Sequence, residues 1–393
     1  MKQTLKIEEI ENGIAHPLEK SSCNQQEYKE YGGITYPDLS FAELSLQKRP
    51  NSTWYTGANP STNPKDIKYI DEEVVFLGPF SAHYGHFLLE SISRLWFFLN
   101  PQNKKYKAIY LTETSHFNKN LLELLYLFGI DDSQLIEIKA PTQFKKIIIP
   151  EQSFYLNQYC TEEYINAIDQ IKSSIQPSHY EKLYFSKKLT NKFNHRGIGE
   201  NIIEKIFKQN GYKIIYPEKI SIKEQISLLK GCKDFVTTSG TLAHQSLFVE
   251  NSPSCNITIL NRSNEENPSQ NAINKHKKYN YKEINANFNF FVRDYTAPCL
   301  LGITDELEDF FKEKNFQYNK KYFCKKFKNN IYNYLIEYAK YHQEIRKIIS
   351  KTNYNEFDKY IILENLLKLQ KISFKHPIKT FFKKIKAKFK TQT

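Results

Sequence analysis

"EEVVFLGPFSAHYGHFLLESISRLWFFL", residues 72–99, runs from a block of apolar residues through a turn into apolar residues at helical spacing. "EEVVFLG" has the composition of a buried strand, and "HFLLESISRLWFFL" that of a helix with one apolar stripe. At the junction stand His83, Gly85 and His86, with Glu90 one turn past His86. Positions three and four apart share a helix face, so this spacing groups two imidazoles and a carboxylate. A helix start that serves only the core needs none of these groups.

The same alternation continues downstream. "YKAIYLT" predicts a strand, "FNKNLLELLYLFGI" a helix and "FKKIIIP" a third strand. It restarts near residue 180 with "EKLYFSKK", "GENIIEKIFKQNG" closed by Gly211, "YKIIYP", "SIKEQISLLKGC", "KDFVTT", "SGTLAHQSLFVE" and "CNITILN". Ser221 with Glu224 three residues on is a capping-box signal for the helix at 222. Strands and helices in this order argue for parallel sheets covered by helices. The length of 393 residues favours more than one domain. The divisions read from the chain are an irregular N-terminal segment at 1–66, α/β units at 67–175 and 176–300, a helical segment at 301–364 and a basic tail at 365–393. The polar stretch 263–282 is expected to be a loop. In open α/β sheets ligands sit beyond the carboxyl ends of the strands, and two such units imply a cleft between them. Residues 81–90 and 237–245 both fall at such ends.

Composition narrows the class of protein. The formal charge is +13, which fits nucleic acid, an anionic membrane surface or phosphorylated substrates. Six cysteines stand far apart without a CxxC pair, so neither a zinc knuckle nor a disulfide scaffold is indicated and a reducing cytosol is expected. "MKQTLKIEEIENG" has no apolar leader core, and no stretch approaches 18 apolar residues.

In "VTTSGTLAHQSLF", Ser239, Gly240 and Thr241 offer N–H groups and hydroxyls at a helix start, a geometry suited to a phosphate or diphosphate. The same pattern also describes an ordinary capped helix. No Gly-Lys-Ser/Thr follows, so it is not a P-loop. His244 and Gln245 come next, and Lys187, leaving the strand "LYFSKK", could meet a diphosphate from the same sheet edge. For His83, His86 and Glu90 the readings are packed side chains, a metal site, or a general base with its orienting carboxylate. No glutamate adjoins the first histidine as in HExxH, and the general base is favoured. Gly85 would allow close approach of a substrate, and Arg94 is placed to pair with Glu90.

Taken together, "GHFLLESISRLW", "LYFSKK" and "GENIIEKIFKQNGYKIIYPEKISIKEQISLLKGCKDFVTTSGTLAHQSLF" resemble glycosyltransferase family 61 over about residues 74–262. That family includes bacterial capsular polysaccharide biosynthesis proteins. The resemblance implies a GT-B-like pair of Rossmann-like domains, here with a helical C-terminal extension. It also implies an inverting, metal-independent transfer from a nucleotide sugar, with no further cofactor. By position it assigns His86 and Glu90 to catalysis. It points to Lys187, Glu218, Ser239, Gly240 and Thr241 for the nucleotide and to Arg94 for other substrate contacts. His244, on a position variable in the family, and His83, just before "GHFLLESISRLW", are expected at the nucleotide and the substrate from the residue pattern alone. Trp96, Gln225 and Gln245 also fall on family positions. Lys187 stands where the family more often has arginine, Ser239 where histidine is frequent, and Glu200–Asn201 reverse a usual pair. The implied acceptor is a lipid-linked or growing polysaccharide.

Residues 365–393 hold nine lysines and no acidic side chain, with Ile378, Phe381, Phe382, Ile385 and Phe389 at helical spacing after Pro377. This predicts an amphipathic helix on an anionic membrane surface, and with it a peripheral enzyme at the inner face of the cell membrane. A solvated helix packed on the domain is the other reading. Arginine is scarce and no nucleic-acid module is evident, so nucleic acid is not an expected partner, whereas capsule assembly proteins are. The alternatives to the transferase are a non-catalytic scaffold of polysaccharide assembly and a phosphotransferase using the same anion turn.

Overall fold

The protein is described by a computed structural model over residues 4–20, 30–49, 67–112, 117–189, 197–263, 265–289 and 298–327, with 329–331, 333, 334 and 337 beyond. The basic tail at 365–393 lies outside the described residues.

The first sheet holds β1 (Ile7–Glu11), β2 (Ile14–Lys20), β3 (Glu30–Thr35), β4 (Lys68–Phe80), β5 (Lys107–Thr112), β6 (Leu135–Glu137) and β7 (Thr142–Pro150). Its order is β3-β2-β7-β4-β5-β6, with β1 also on β7. The strands β7, β4, β5 and β6 run parallel. Their buried runs, Val74–Phe80 and Ile147–Pro150, are what a strand covered on both faces requires.

Residues 1–66, expected to be irregular, instead supply β1, β2 and β3, which pair antiparallel. Asn12–Gly13 interrupts them but makes no hairpin. Ile7 faces Pro150 and Ile14 faces Gln143, so β1 and β2 follow β7 in one unbroken register. Asn12 takes a left-handed φ of 55°, and its N–H donates to the Lys145 carbonyl at 2.8 Å. The pair is therefore a kink in one edge, made where asparagine and glycine tolerate it.

A short hairpin, β8 (Phe154–Tyr155) and β9 (Tyr159–Cys160), leads to the helix Glu162–Ser173 and the second sheet. This sheet contains β10 (Lys182–Phe185), β11 (Lys213–Ile215), β12 (Asp234–Thr238), β13 (Asn256–Asn261) and β14 (Asn280–Asn285), in the order β11-β10-β12-β13-β14. The strands β11, β10, β12 and β13 are parallel. Residues 263–282, expected to be a loop, contain the helix Pro268–Asn274 and the start of β14. Asn267 caps that helix by accepting from Ser269 and Gln270 N–H, with Pro268 in its first turn.

Residues 1–189, 207–261 and 265–284 form one compact unit that contains both sheets, save the last residue of β14. One apolar cluster runs through it, from Val75, Leu77 and Phe87 to Phe185, Phe235 and Ile257. Burying one Phe or Leu contributes roughly 1.5–3 kcal/mol. The Glu123 carboxylate accepts from the N–H groups of Ile222 and Lys223, capping the helix Ile222–Gly231 from the neighbouring helix. Such a cap is worth about 1 kcal/mol, so apolar burial dominates the union of the two sheets. Ser221 also caps this helix, accepting from Glu224 N–H at 3.1 Å as the sequence predicts.

Residues 190–206, 262–264 and 285–393 make a second unit. Its described part includes the Ile198–Leu300 and Asn287–Leu301 bridges, the helix Asp305–Glu313 capped by Thr304, and a small core of Leu300, Ile331 and Tyr334. Among the described residues no helix is long and apolar enough to cross a membrane.

Candidate active site

Each sheet reverses its winding at one strand. From β4 the chain proceeds through β5 and β6 on one side and then to β7 on the other. From β10 it goes to β11 and then crosses to β12. Such switch points leave a crevice at the carboxyl end of the strand. The residues there are Ser81–His86 after β4 and Ser186–Lys187 after β10.

After β4 the chain does not form the long helix expected at 86–99. Tyr84–His86 is a single α turn, Phe87–Ser91 a π turn and Leu95–Leu99 a 3-10 turn. Side chains hold this irregular path. Ser93 Oγ donates to the Glu90 carbonyl at 2.6 Å, Ser91 Oγ accepts from Ser81 N–H, and Tyr164 Oη donates to the Leu88 carbonyl at 2.8 Å. Single π turns recur at functional sites because they re-aim the side chains they carry. Here the charged side chain carried is the buried Glu90.

His86 Nδ1 lies 2.8 Å from Glu90 Oε2. The Glu90 carboxylate is also gripped by both Nε and Nη2 of Arg49. Burial raises the Glu90 pKa, but the hydrogen bonds from His86 and Arg49, with their charges, outweigh it and leave the value below the usual glutamate range. An ionised carboxylate only accepts, so Nδ1 carries a proton, and in the neutral ring Nε2 is then the bare nitrogen. Arg49 Nη2, 3.2 Å from the same Nδ1, therefore gains no hydrogen bond there and acts on the ring through its charge. The His86 side chain is 32% exposed, against 5% for Arg49 and 4% for Glu90. A bare, accessible nitrogen backed by a buried carboxylate is the geometry of a general base. A cation at His83, His86 and Glu90 would need the carboxylate that Arg49 occupies. Among the described residues no group of three or more His, Cys, Asp or Glu side chains is arranged to hold a metal ion.

The turn after β12 lies directly against this motif. A Cβ on Gly85 would fall 2.8 Å from Thr241 Oγ1 and 3.1 Å from its Cγ2. The space read from sequence as room for substrate is filled by Thr241. Gly240 has a left-handed φ of 104°, which glycine alone adopts without strain. Lys187 Nζ donates to the Ser239 carbonyl at 2.7 Å, bracing the turn and placing a positive charge beside it. The expected three-residue cradle is smaller than the sequence implies. Ser239 N–H is donated to the Leu260 carbonyl, leaving Gly240 and Thr241 as the N–H donors of the turn. The following segment is a 3-10 helix, Ala243–Phe248, rather than an α-helix.

His244 is buried, and its Nδ1 lies 3.0 Å from Gln270 Oε1. Gln270 Nε2 is committed as donor to Ser246 Oγ and Asn274 Oδ1, so the His244 proton sits on Nδ1. Burial lowers its pKa to about 4, and the nearby charges of Lys187, His86 and His83 act the same way. His83 is exposed, its ring centroid 5.1 Å from that of His86. Glu218 is exposed on the 3-10 turn Pro217–Lys219 after β11. Its neighbour Pro217 is linked toward the other motif, since Gln225 Nε2 donates to the Pro217 carbonyl and Gln245 Nε2 donates to Gln225 Oε1.

Arg94 departs from its expected roles. It is fully buried and does not pair with Glu90. Its guanidinium donates to the carbonyls of Pro150, Leu44 and Leu46 and to Gln47 Oε1. Gly78, with a φ of 99°, makes room for it, since a Cβ there would stand 2.6 Å from Arg94 Nη1. A side chain with no exposed surface cannot touch substrate, so Arg94 is a structural tie. Arg49, which takes the place expected of it beside Glu90, has no sequence motif around it. It is separated from Glu90 by 41 positions in the chain.

Residues 84–257, just under half of the chain, match the family model described as Glycosyltransferase 61. That stretch is similar to glycosyltransferases of this family, and it holds both the His86 motif and the 239–241 turn. The resemblance read from the sequence holds over that region. No curated protein matches the chain.

Neutral burial of His244 has a pH consequence. Its folded pKa, about 4, lies below the ordinary 6.5, so unfolding takes up a proton between those values. Its contribution to stability is complete above pH 6.5 and is lost as the pH falls toward 4, by roughly 3 kcal/mol at 1.4 kcal/mol per unit. Urea unfolding across this range should show a shallower pH slope in His244→Gln than in the wild type. His16, also lowered to about 4 by burial, supplies a similar slope in both proteins. An identical slope in the two would contradict neutral burial of His244.

Proposed function

We propose that the protein is an inverting, metal-independent glycosyltransferase of GT-B type. It moves a sugar from a nucleotide-sugar donor to a lipid-linked or polysaccharide acceptor in capsule or other surface-glycan synthesis. The observation that supports this best is the approach of the two motifs at Gly85, which sets a bare imidazole nitrogen beside an anion-suited turn.

In this mechanism the acceptor oxygen attacks the anomeric carbon while the bond from that carbon to the diphosphate oxygen breaks. His86 Nε2 takes the acceptor hydroxyl proton, and Glu90 stabilises the imidazolium that forms. The departing diphosphate gains negative charge, which the N–H groups of Gly240 and Thr241 and the charge of Lys187 offset. His244 presents its Nε2 as an acceptor to the nucleotide part of the donor, with Glu218 at the same sheet edge. His83 contacts the acceptor. Fixed N–H dipoles and an ammonium supply the charge stabilisation a metal would otherwise give.

His86→Ala is expected to lower transfer by about 10²-fold or more, with donor affinity in calorimetry close to wild type. Gly240→Asp is expected to weaken donor binding itself. Near-normal turnover of His86→Ala removes it as the base, and unchanged affinity of Gly240→Asp removes the anion turn.

The acceptor class places the enzyme at the inner face of the cell membrane, alongside capsule assembly proteins, with residues 365–393 on anionic lipid. Full-length protein should float with vesicles containing anionic lipid, and float less as salt rises. A chain ending at residue 364 should remain unbound. Equal flotation of the two would exclude the tail as the anchor.

A further inference from the structure

Arg49 lies outside the stretch that matches the family model, in a segment of the chain otherwise read as a preface to the fold. Its position is nonetheless strongly fixed. Arg94 holds the Leu44 and Leu46 carbonyls and Gln47 Oε1 just before it. Gln152 holds Lys48 from both sides, accepting from its N–H at 2.8 Å and donating to its carbonyl at 2.9 Å. Pro150 and Gln152, at the end of β7, thus tie this segment to the carboxyl edge of the first sheet. The guanidinium this delivers is buried and bidentate on Glu90, unlike the exposed ion pairs that contribute little.

A His–Glu pair alone has an obvious failing as a base. A buried carboxylate with no other counter-charge draws a proton onto the imidazole, and an imidazolium cannot accept one. With Arg49 on the carboxylate, its charge is already balanced and its oxygens are fixed in direction. His83 lies beside His86, and the charges of Lys187, His86 and His83 all act on His244 beyond.

We propose that Arg49 is a positioning residue: by gripping both oxygens of Glu90 it holds the carboxylate aimed at His86 Nδ1–H and leaves Nε2 as the bare nitrogen offered to the acceptor. This rests on His86 as the base of the proposed transfer.

The test is nitrogen-15 NMR of the full-length, histidine-labelled chain at neutral pH, paired with transfer assays. The wild type should show a protonated Nδ1 and a bare Nε2 at His86. In Arg49→Met the Nε2 signal should move toward that of a protonated nitrogen, with transfer falling about ten-fold or more. Arg49→Lys keeps the charge but not the fork, and should move the same way by less, with transfer partly recovered. It also serves if Arg49→Met fails to fold. In a Glu90→Gln background the Arg49 substitutions should no longer change the ratio of the two signals. An unmoved Nε2 signal in a folded Arg49→Met or Arg49→Lys protein overturns the proposal, whatever happens to transfer. A moved signal with unchanged transfer supports the positioning role of Arg49 and removes His86 as base, so the two failures are distinguishable.

Discussion

The site depends on a close approach at residue 85, where the Thr241 side chain occupies the space a Cβ would take. Thr241 comes so close that even a methyl group would meet its hydroxyl at 2.8 Å. The two motifs concerned hang from the ends of different sheets, β4 in one and β12 in the other. Their meeting therefore depends on how the sheets are packed. That packing is supplied by a continuous apolar core rather than by polar links between them. The chemistry of the site follows from this placement: each motif alone is a turn at a strand end, and together they set a base beside an anion-suited turn.

Around that contact the buried polar groups form a consistent set. Two histidines, His86 and His244, are each fixed by an acceptor at Nδ1, one by a carboxylate and one by an amide oxygen. Both are left with Nε2 bare, but to different ends. His86 is accessible and backed by a charge, as proton transfer requires. His244 is buried among positive neighbours, which suits a neutral acceptor. Two arginines divide the labour in a similar way. Arg94 has no carboxylate among its hydrogen-bond acceptors and is satisfied by backbone carbonyls, so its task is to tie the Leu44–Gln47 segment to the end of β7. Arg49, at the end of that tie, meets Glu90 with both donors of its fork.

Much of this was legible from residue pattern. The parallel strands show as apolar runs because burial on both faces removes polar alternation, and β4, β5, β7, β12 and β13 fall where those runs stand. The approach of His86 to Glu90 is local, one helical turn, and spacing predicts it. Longer-range features escape such reading. Arg49 reaches Glu90 only because Arg94 and Gln152 pin the intervening segment, and no periodicity in residues 44–49 signals a partner so far along the chain. The β1–β3 strands mix polar with apolar residues, as in His16 and Glu19 of β2, and Asn12–Gly13 imitates a hairpin signal while serving as a kink. Residues 263–282 read as a loop because asparagines dominate, yet Asn267–Pro268 is a helix start. The long helix expected at 86–99 breaks up because serine hydroxyls at 91 and 93 bond nearby backbone, which competes with the regular helical ladder.

The claim on which all of this depends is that the 83–86 and 239–241 turns touch. The most direct measurement replaces Gly85 and Thr241 together by cysteine, in a background where Cys23 and Cys324 are serine and the remaining cysteines are buried. With the Thr241 side chain that fills this space replaced, the two thiols should close a bond under mild oxidant, read as a mass loss of about two hydrogens in the intact chain and reversed by reductant. The account predicts that the double variant forms this bond while each single variant keeps a free thiol. A folded double variant whose two new thiols both stay reactive and never join would place the turns apart, and the site described here would not exist.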